Sequence, residues 1–245
     1  MTHCSPIEFG DDLRTRLSTN LAAHEVRSVA ADDRKRAAVA IVVVDSDPAS
    51  DVDDPCAATP EEMSIIPGGA AGLDGRMRDV AGGAAFLLCR RASRMNSHAA
   101  QWALPGGRVD PGETPEITAL RELDEELGVS LAPDAVLGRL DDYPTRSGYV
   151  ITPVVVWGGG TLVLRPNPEE VAHVYRIGLH HLCRDDSPRF VTIPESDRPV
   201  VQVPLGGDLV HAPTGAVLVQ FRWVGIDGRI NERVDEFEQP VFAWK

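Results

Sequence analysis

Residues 114–128, read as TPEITALRELDEELG, limit the possible folds of this chain more than any other segment. Thr114 suits the N-cap of a helix, Pro115 suits its first turn, and Gly128 suits its end. Apolar residues recur three and four positions apart, so one face of this helix must be covered by a sheet or another helix. The predicted apolar face consists of Ile117, Leu120, Leu123 and Leu127.

Three glutamates, Glu122, Glu125 and Glu126, gather on the opposite side of this predicted helix. Like charges three and four positions apart repel each other, and no interleaved lysine relieves the repulsion. A solvated acidic face is the ordinary interpretation. The glycine turn Pro105–Gly107 precedes the helix, however, and a bound hard cation would remove the repulsion. Carboxylate oxygens suit Mg²⁺ or Mn²⁺, and Mg²⁺ completes its shell with substrate phosphates, so the pattern predicts phosphate chemistry with metal-activated water.

Strand patterns outnumber helical patterns in the rest of the chain. We predict buried strands at Arg36–Asp47, Ala84–Ala92 and Tyr149–Gly159, and a further helix within residues 8–27. Their order is mixed, which favours an α+β sandwich over a regularly alternating sheet.

Two segments lie outside this pattern. Residues 46–82 are acidic and proline-containing, then glycine-rich, and we interpret them as a long mobile insertion within one domain that spans residues 1–245. Residues 183–245 form a C-terminal extension that would shape the substrate pocket or a dimer interface. A homodimer is compatible with this organisation.

The composition excludes several classes of function. The formal net charge of -13 disfavours non-specific binding to nucleic acid. Four scattered cysteines fit neither a zinc site nor a disulfide framework. The sequence contains no apolar run of membrane-spanning length and no signal pattern, so we expect a soluble, cytoplasmic protein without membrane or nucleic-acid partners.

The segment from Leu104 to Val129 resembles the Nudix box. That pattern is a glycine, five residues, a glutamate, seven residues, and then Arg-Glu-aliphatic-any-Glu-Glu-any-Gly-aliphatic. A pattern with so many restricted positions rarely arises by chance. The matching residues are Gly107, Glu113, Arg121, Glu122, Leu123, Glu125, Glu126, Gly128 and Val129.

The resemblance implies a Nudix hydrolase with an α/β/α sandwich fold and a mixed sheet. Members typically cleave a nucleoside diphosphate linked to another group, with Mg²⁺ or Mn²⁺ as cofactor. By position, the three box glutamates would hold the metals, with one of them acting as or positioning the general base. The Gly107 carbonyl would supply another ligand, and Glu113 would pair with Arg121 to brace the loop against the helix.

The stretch before the box resembles the coenzyme A pyrophosphatase branch of this family, and the resemblance extends over roughly residues 35–182. The matching positions are Leu87, Leu88, Arg91, His98, Gln101 and Pro105–Gly107. The positions that depart from that branch are Ala92, Asn96, Ala100 and Leu104. Coenzyme A or its acyl derivatives are therefore the first expected substrates.

Several residues outside the box are candidates for binding substrate. Three arginines could meet phosphates bidentately, although solubility at a strand end explains them equally well: Arg90, Arg91 and Arg94. His98 could bind phosphate or a base, or be structural. Glu169 or Glu170 could add a carboxylate from the opposite side, and we favour Glu170. We interpret Trp102 as a packing residue and the pair His180–His181 as surface residues.

Two classes of function are compatible with these sequence features. The first is a metal-dependent hydrolase of a pyrophosphate linkage in a small nucleotide derivative, with ADP-ribose, dinucleotides and nucleoside triphosphates as alternatives to coenzyme A. The second is a Nudix-fold sensor that binds nucleotides without cleaving them. Intact box glutamates and the lack of a basic recognition helix favour the enzyme.

Overall fold

The computed structural model describes residues 5–30, 32–50, 54–92 and 102–244. A mixed sheet of eight strands forms its centre. The strands are β1 (Lys35–Ser46), β2 (Gly83–Arg91), β3 (Trp102–Ala103), β4 (Gly106–Arg108), β5 (Val136–Arg139), β6 (Tyr143–Pro144), β7 (Tyr149–Gly159) and β8 (Val171–Gly178).

Strand β1 is central and organises the sheet. One of its edges runs parallel to β7, while the other pairs antiparallel with β4 near its start and with β2 near its end. Both faces of β1 are covered, which explains the unbroken run of alanine and valine in its sequence. The glycine-rich strand β4 is therefore held directly against the middle of the sheet.

The helices cover the two faces of this sheet. They are α1 (Asp11–Ala23), α2 (Pro60–Ser64), α3 (Pro115–Leu127) and α4 (Thr214–Gln220), and α4 continues into a π-helical turn at Phe221–Ile226. Single 3-10 turns occur at Pro48–Ser50, Pro133–Ala135, Leu179–His181 and Val241–Ala243. Helix α3 packs on one face, whereas α1 and α4 pack on the other, so the predicted three-layer α+β fold is confirmed.

The C-terminal segment belongs to the same body as the rest of the chain. It forms a three-stranded antiparallel sheet of β9 (Arg189–Ile193), β10 (Ser196–Leu205) and β11 (Asp208–His211), followed by α4. Apolar residues of β10 and α4 share one buried cluster with Leu13, Leu17 and Leu21 of α1. The extension therefore contributes to the main core.

A buried polar network also joins the two ends of the chain. His24 contacts Asp141 at 3.0 Å, and Gln220 donates to the same carboxylate at 2.8 Å. Arg233 lies 3.3 Å from Oδ2 of Asp141, the oxygen that also accepts from Gln220. Asp141 accepts these bonds in a nearly water-free position, so it ties α1, the main sheet and the C-terminal segment together.

The predicted strands and helices are confirmed, with ends that differ by a few residues. Helix α3 starts after Thr114, whose hydroxyl accepts from the Ile117 amide, and ends at Gly128, which has a φ of 64°. Its predicted apolar face is wrong at Ile117, which is 52% exposed, because Thr118 and Ala119 take the buried positions of the first turn. Leu123 and Leu127 are fully buried as predicted.

The segment interpreted as a mobile insertion contains packed structure. A capping box at Thr59 starts α2, and Met77 and Val80 are buried in the main core. Part of residues 54–82 is thus built into the fold, while the mobility of the segment stays a prediction. The interpretation of His181 as a surface residue is wrong, since only 8% of it is exposed. No helix in the described ranges is long and apolar enough to cross a membrane.

Candidate active site

Gly106 and Gly107 begin strand β4 and form the base of the candidate site, and we keep the name glycine turn for Pro105–Gly107. Strand β4 approaches β1 so closely that a Cβ atom on Gly106 would lie 2.3 Å from the Ala38 carbonyl oxygen. On Gly107, a Cβ atom would lie 2.2 Å from Oε1 of Glu122. Backbone atoms exclude a larger residue at Gly106, whereas a larger residue at Gly107 would displace the carboxylate of Glu122, which rests against the backbone of the turn.

Glu126 points from α3 into the protein. It is 7% exposed, and its carboxylate accepts a hydrogen bond of 3.1 Å from the Gly106 amide. Burial raises the pKa of Glu126 to about 8, against attraction from Arg91, and the nearby carboxylates of Glu122 and Glu170 raise it further. The ordinary interpretation of a solvated acidic face therefore does not hold for Glu126.

Glu170 joins the two helix glutamates from the loop before β8. Its carboxylate raises the pKa of both Glu122 and Glu126. Asn167 fixes this loop through two hydrogen bonds. Its backbone amide donates to the Glu126 carbonyl at 2.8 Å, and its side-chain amide donates to the Glu170 carboxylate at 3.1 Å. Of the predicted carboxylates, the structure brings Glu122, Glu126 and Glu170 together, whereas Glu169 is exposed.

Arg121 relieves the charge repulsion along the outer side of α3. Its guanidinium contacts Glu113 at 2.9 Å, Glu122 at 2.8 Å and Glu125 at 2.9 Å. It also donates to the Arg108 carbonyl at 3.1 Å, so the loop is braced against the helix. The sequence argument that no i,i+4 pair relieves the glutamates is therefore wrong, because Arg121 and Glu125 form such a pair.

Glu113 and Glu125 have different places around Arg121. The hydrogen bond from Arg121 and the one from Thr118 lower the pKa of Glu113 to about 2, so Glu113 stays ionised and holds the brace. The Glu125 side chain is 56% exposed and contacts Arg121 on the solvent side. Glu125 thus lies at the rim of the candidate site.

The adjacent arginines at the end of β2 point to opposite faces of the sheet, as successive strand residues do. Arg91 lies on the α3 side, where its charge lowers the pKa of Glu126. Arg90 lies on the other side, over the Trp102 ring at 4.4 Å and 3.6 Å from Asp208. Of these two arginines, the structure brings Arg91, and not Arg90, to the carboxylates. Arg94 and His98 lie outside the described residues.

A cavity of about 450 Å³ opens beside the glycine turn, and we call it the first cavity. Gly106 and Gly107 line it on one side and contact the helix glutamates on the other. Arg91 also lines it, so a cation faces both the cavity and Glu126. Such a volume suits a nucleotide-sized ligand. The remaining polar lining includes Arg108, Thr145, Ser147 and Tyr149.

Sequence reasoning placed the C-terminal extension at the substrate pocket or at a dimer interface, but it did not identify the residues of two parts of this cavity. Arg108 donates to the Tyr149 hydroxyl at 2.9 Å, which places a cation and an aromatic ring at the cavity wall. The C-terminal segment supplies another wall through Pro213, Thr214 and Gln239. The sequence alone assigns Tyr149 to a strand and gives it no further role. No local pattern identifies the C-terminal residues as pocket residues.

The oxygen donors of the site are of the chemical type that hard divalent cations prefer. The carboxylate of Glu170 makes Glu122 and Glu126 harder to ionise, and a bound cation would offset this effect. In the described ranges, however, no three His, Cys, Asp or Glu side chains already converge at metal-holding distances. Arg121 holds Glu122 through one oxygen, so a cation would compete with Arg121 for this ligand.

Comparison with known sequences shows which family the segment carrying these residues is similar to. Residues 76–192 match the NUDIX domain family, and this range is slightly less than half of the chain. The matched range contains the glycine turn, helix α3 and the loop with Glu170, while α1, β1 and most of the C-terminal extension lie outside it.

Curated relatives and solved structures give the same family name. The chain is 42% identical over 96 residues to NudL of Yersinia pestis (strain Pestoides F), whose name is "Uncharacterized Nudix hydrolase". The match covers 39% of this chain and 48% of that relative, so this chain spans about half the length of the curated relatives it matches.

Two solved structures with the Nudix name are similar to this one in part. A MutT/nudix family protein from Enterococcus faecalis is 16% identical, with 90% of this chain and 76% of that chain covered and a TM-score of 0.47. The Nudix hydrolase RenU from M. smegmatis is 23% identical, with 61% and 74% covered and a TM-score of 0.35. The similarity to this family rests on the sequence match over residues 76–192.

Proposed function

We propose that this protein is a Nudix hydrolase that cleaves a pyrophosphate linkage in a nucleoside diphosphate derivative with Mg²⁺ or Mn²⁺. One observation carries the proposal: Glu122 and Glu170 both act electrostatically on the buried carboxylate of Glu126, beside a glycine turn whose other side lines a nucleotide-sized cavity. A site of this kind can bring a diphosphate, a cation and a water molecule together.

The roles of the residues follow from their positions. Glu122, Glu126 and Glu170 would hold the cation, with the Gly107 carbonyl as a further oxygen donor. When bound, the cation would neutralise diphosphate oxygens and lower the pKa of a water molecule. Arg91 would orient the phosphates from the cavity side, since its guanidinium suits them bidentately.

Proton transfer needs a group that can accept a proton near neutral pH. The raised pKa of Glu126 makes this carboxylate the best general-base candidate that the geometry offers, with Glu122 as the alternative. Arg121 and Glu113 would hold the loop in place. Glu125 would contribute through Arg121 from the rim.

Coenzyme A and its acyl derivatives are the first proposed substrates, on the sequence pattern before the box. ADP-ribose, dinucleotides and nucleoside triphosphates follow. We propose that the protein works in the cytoplasm, with residues 1–245 as one functional unit and with no nucleic-acid or membrane partner.

The test is a substrate panel in millimolar Mg²⁺ or Mn²⁺, with products separated by chromatography. Glu126→Gln should remove activity, whereas the matched change Glu125→Gln at the exposed rim should retain most of it. Cleavage of coenzyme A into phosphopantetheine and adenosine 3′,5′-bisphosphate would support the leading substrate. Nucleotide binding without cleavage of any compound would favour the sensor and overturn the proposal.

A further inference from the structure

A second cavity, of about 330 Å³, lies on the other side of Trp102 from the first. Both cavities are lined by Trp102, Pro213, Thr214 and Ala243, so they are neighbours that share one wall. The Thr214 hydroxyl donates to the Trp102 carbonyl at 3.1 Å and holds this wall in place. A ligand in the first cavity is therefore within reach of the second.

The walls of the second cavity are mainly apolar. The insertion contributes Met63, Ile65 and Ile66, and the C-terminal segment contributes Leu209 and Phe242. Ile65 is 57% exposed, so part of this apolar wall is accessible to a ligand. The insertion (residues 46–82) and the C-terminal extension (residues 183–245) thus build this cavity together.

The polar groups of the second cavity leave one donor without a partner. Arg90 is 5% exposed and lines the cavity, and its Nε has no hydrogen-bond partner among the described residues. Trp102 donates to Asp208 at 2.8 Å, and Asp208 faces Arg90 at 3.6 Å. A buried donor without an acceptor is costly, so an acceptor oxygen on a ligand would stabilise this arrangement.

The charges of the second cavity argue against a phosphate there. Asp208 offsets the charge of Arg90, and Glu62 adds a further negative charge at the lining. Burial lowers the pKa of His211 to about 4, so this residue is neutral at pH 7. The first cavity, in contrast, is lined by Arg91 and Arg108, and none of its lining residues in the described part of the chain is acidic.

We propose that the second cavity binds the uncharged, mainly apolar end of the substrate through a carbonyl oxygen directed at Arg90, while the phosphates occupy the first cavity. This inference rests on the proposed function for the position of the phosphates. It assigns the insertion and the C-terminal segment to substrate selection, with Trp102 as the partition between the two halves of the substrate.

The test uses pantetheine, an uncharged amide-containing probe, and adenosine 3′,5′-bisphosphate as the charged probe, both titrated by ligand-observed NMR against the full-length protein. Met63→Trp should fill the second cavity and weaken pantetheine binding at least tenfold. Glu61→Trp, on the same helix but outside the cavity lining, is the matched control and should bind pantetheine as the native protein does. Bisphosphate binding should be unchanged in both variants.

A second cavity-filling variant keeps the test valid if Met63→Trp does not fold. Ile65→Trp starts from an exposed side chain, so it loses little packing and should weaken pantetheine binding by a similar factor. Equal pantetheine binding by native protein and both filling variants, or no binding by the native protein, would overturn the inference. Because the readout is binding, a lack of hydrolysis alone would overturn the proposed function and leave this inference standing.

Discussion

Replacement of Glu126 by glutamine separates two effects of this residue: the loss of folding stability caused by its buried charge, and its contribution to turnover. The folded protein holds the pKa of Glu126 at about 8, against an ordinary value of 4.5. Because the folded pKa is the higher one, the folded state binds the proton more tightly. The free energy of unfolding therefore falls as the pH rises above 4.5, and the loss is complete above about 8.

The size of the loss follows from the shift. Each pKa unit corresponds to about 1.4 kcal/mol, so an ionised Glu126 lowers the free energy of unfolding by about 3–5 kcal/mol above pH 8. Glutamine keeps the shape and an acceptor oxygen for the Gly106 amide but cannot ionise. Since that hydrogen bond is weaker to an amide, we expect a net gain of about 2 kcal/mol, or roughly 4–8 °C in Tm.

The assay is thermal unfolding followed by circular dichroism, with a chelator present, at pH 8 and at pH 5. Glu126→Gln should be more stable than the native protein at pH 8, and the difference should shrink at pH 5. Added Mg²⁺ should stabilise the native protein more than the variant, because only the native site gains a neutralising cation. Turnover of the variant should fall at least a hundredfold.

Two results would refute this reasoning. A variant that is less stable at pH 8, or a stability difference that does not depend on pH, would show that Glu126 carries no burial cost. Near-normal turnover in saturating Mg²⁺ would show that Glu126 does not belong to a metal site. Glu125→Gln is the control, since its exposed carboxylate should give neither the stability gain nor the large loss of turnover.

Three further predictions concern other parts of the protein. Glu170→Gln should lower the pKa of both helix carboxylates, because the charge of Glu170 raises it. The acid limb of the pH–rate profile should then move to lower pH, and turnover should fall about tenfold. An acid limb at the same pH in this variant would contradict the placement of Glu170. Gly107→Ala should reduce turnover at least a hundredfold, because the new Cβ displaces Glu122, while Gly10→Ala, with open space around it, should be neutral in the same kinetic assay. Asp141→Asn should cost about 3 kcal/mol in urea unfolding through the loss of its buried network, with turnover unchanged in the protein that remains folded.

Local chemistry made helix α3 predictable from the sequence. Thr114, Pro115 and Gly128 act within one or two turns of the chain, so their effects can be read without knowing the rest of the fold. The same holds for the valine-rich strand β1, whose unbroken apolar run indicates burial on both faces.

The directions of the charged side chains were not predictable in the same way. A helical wheel gives the angles of Glu122, Glu125 and Glu126 but not the position of the glycine turn beside them, so it could not show that Glu126 is buried. Alternation along β2 separates Arg90 from Arg91, yet only the placement of α3 shows which arginine shares a face with the carboxylates.

The sequence by itself determined the elements of this protein and the chemical kind of its site: a capped helix with glutamates, a glycine turn before it and oxygen ligands suited to Mg²⁺ or Mn²⁺. Those properties depend on neighbours along the chain. The sequence offered Glu169 or Glu170 as a further carboxylate, and the tertiary structure decided for Glu170, which acts on Glu126. The tertiary structure alone decided that Met63 lines the second cavity and that Pro213 lines both cavities. Such contacts join positions far apart in sequence, and their geometry depends on how the whole core packs.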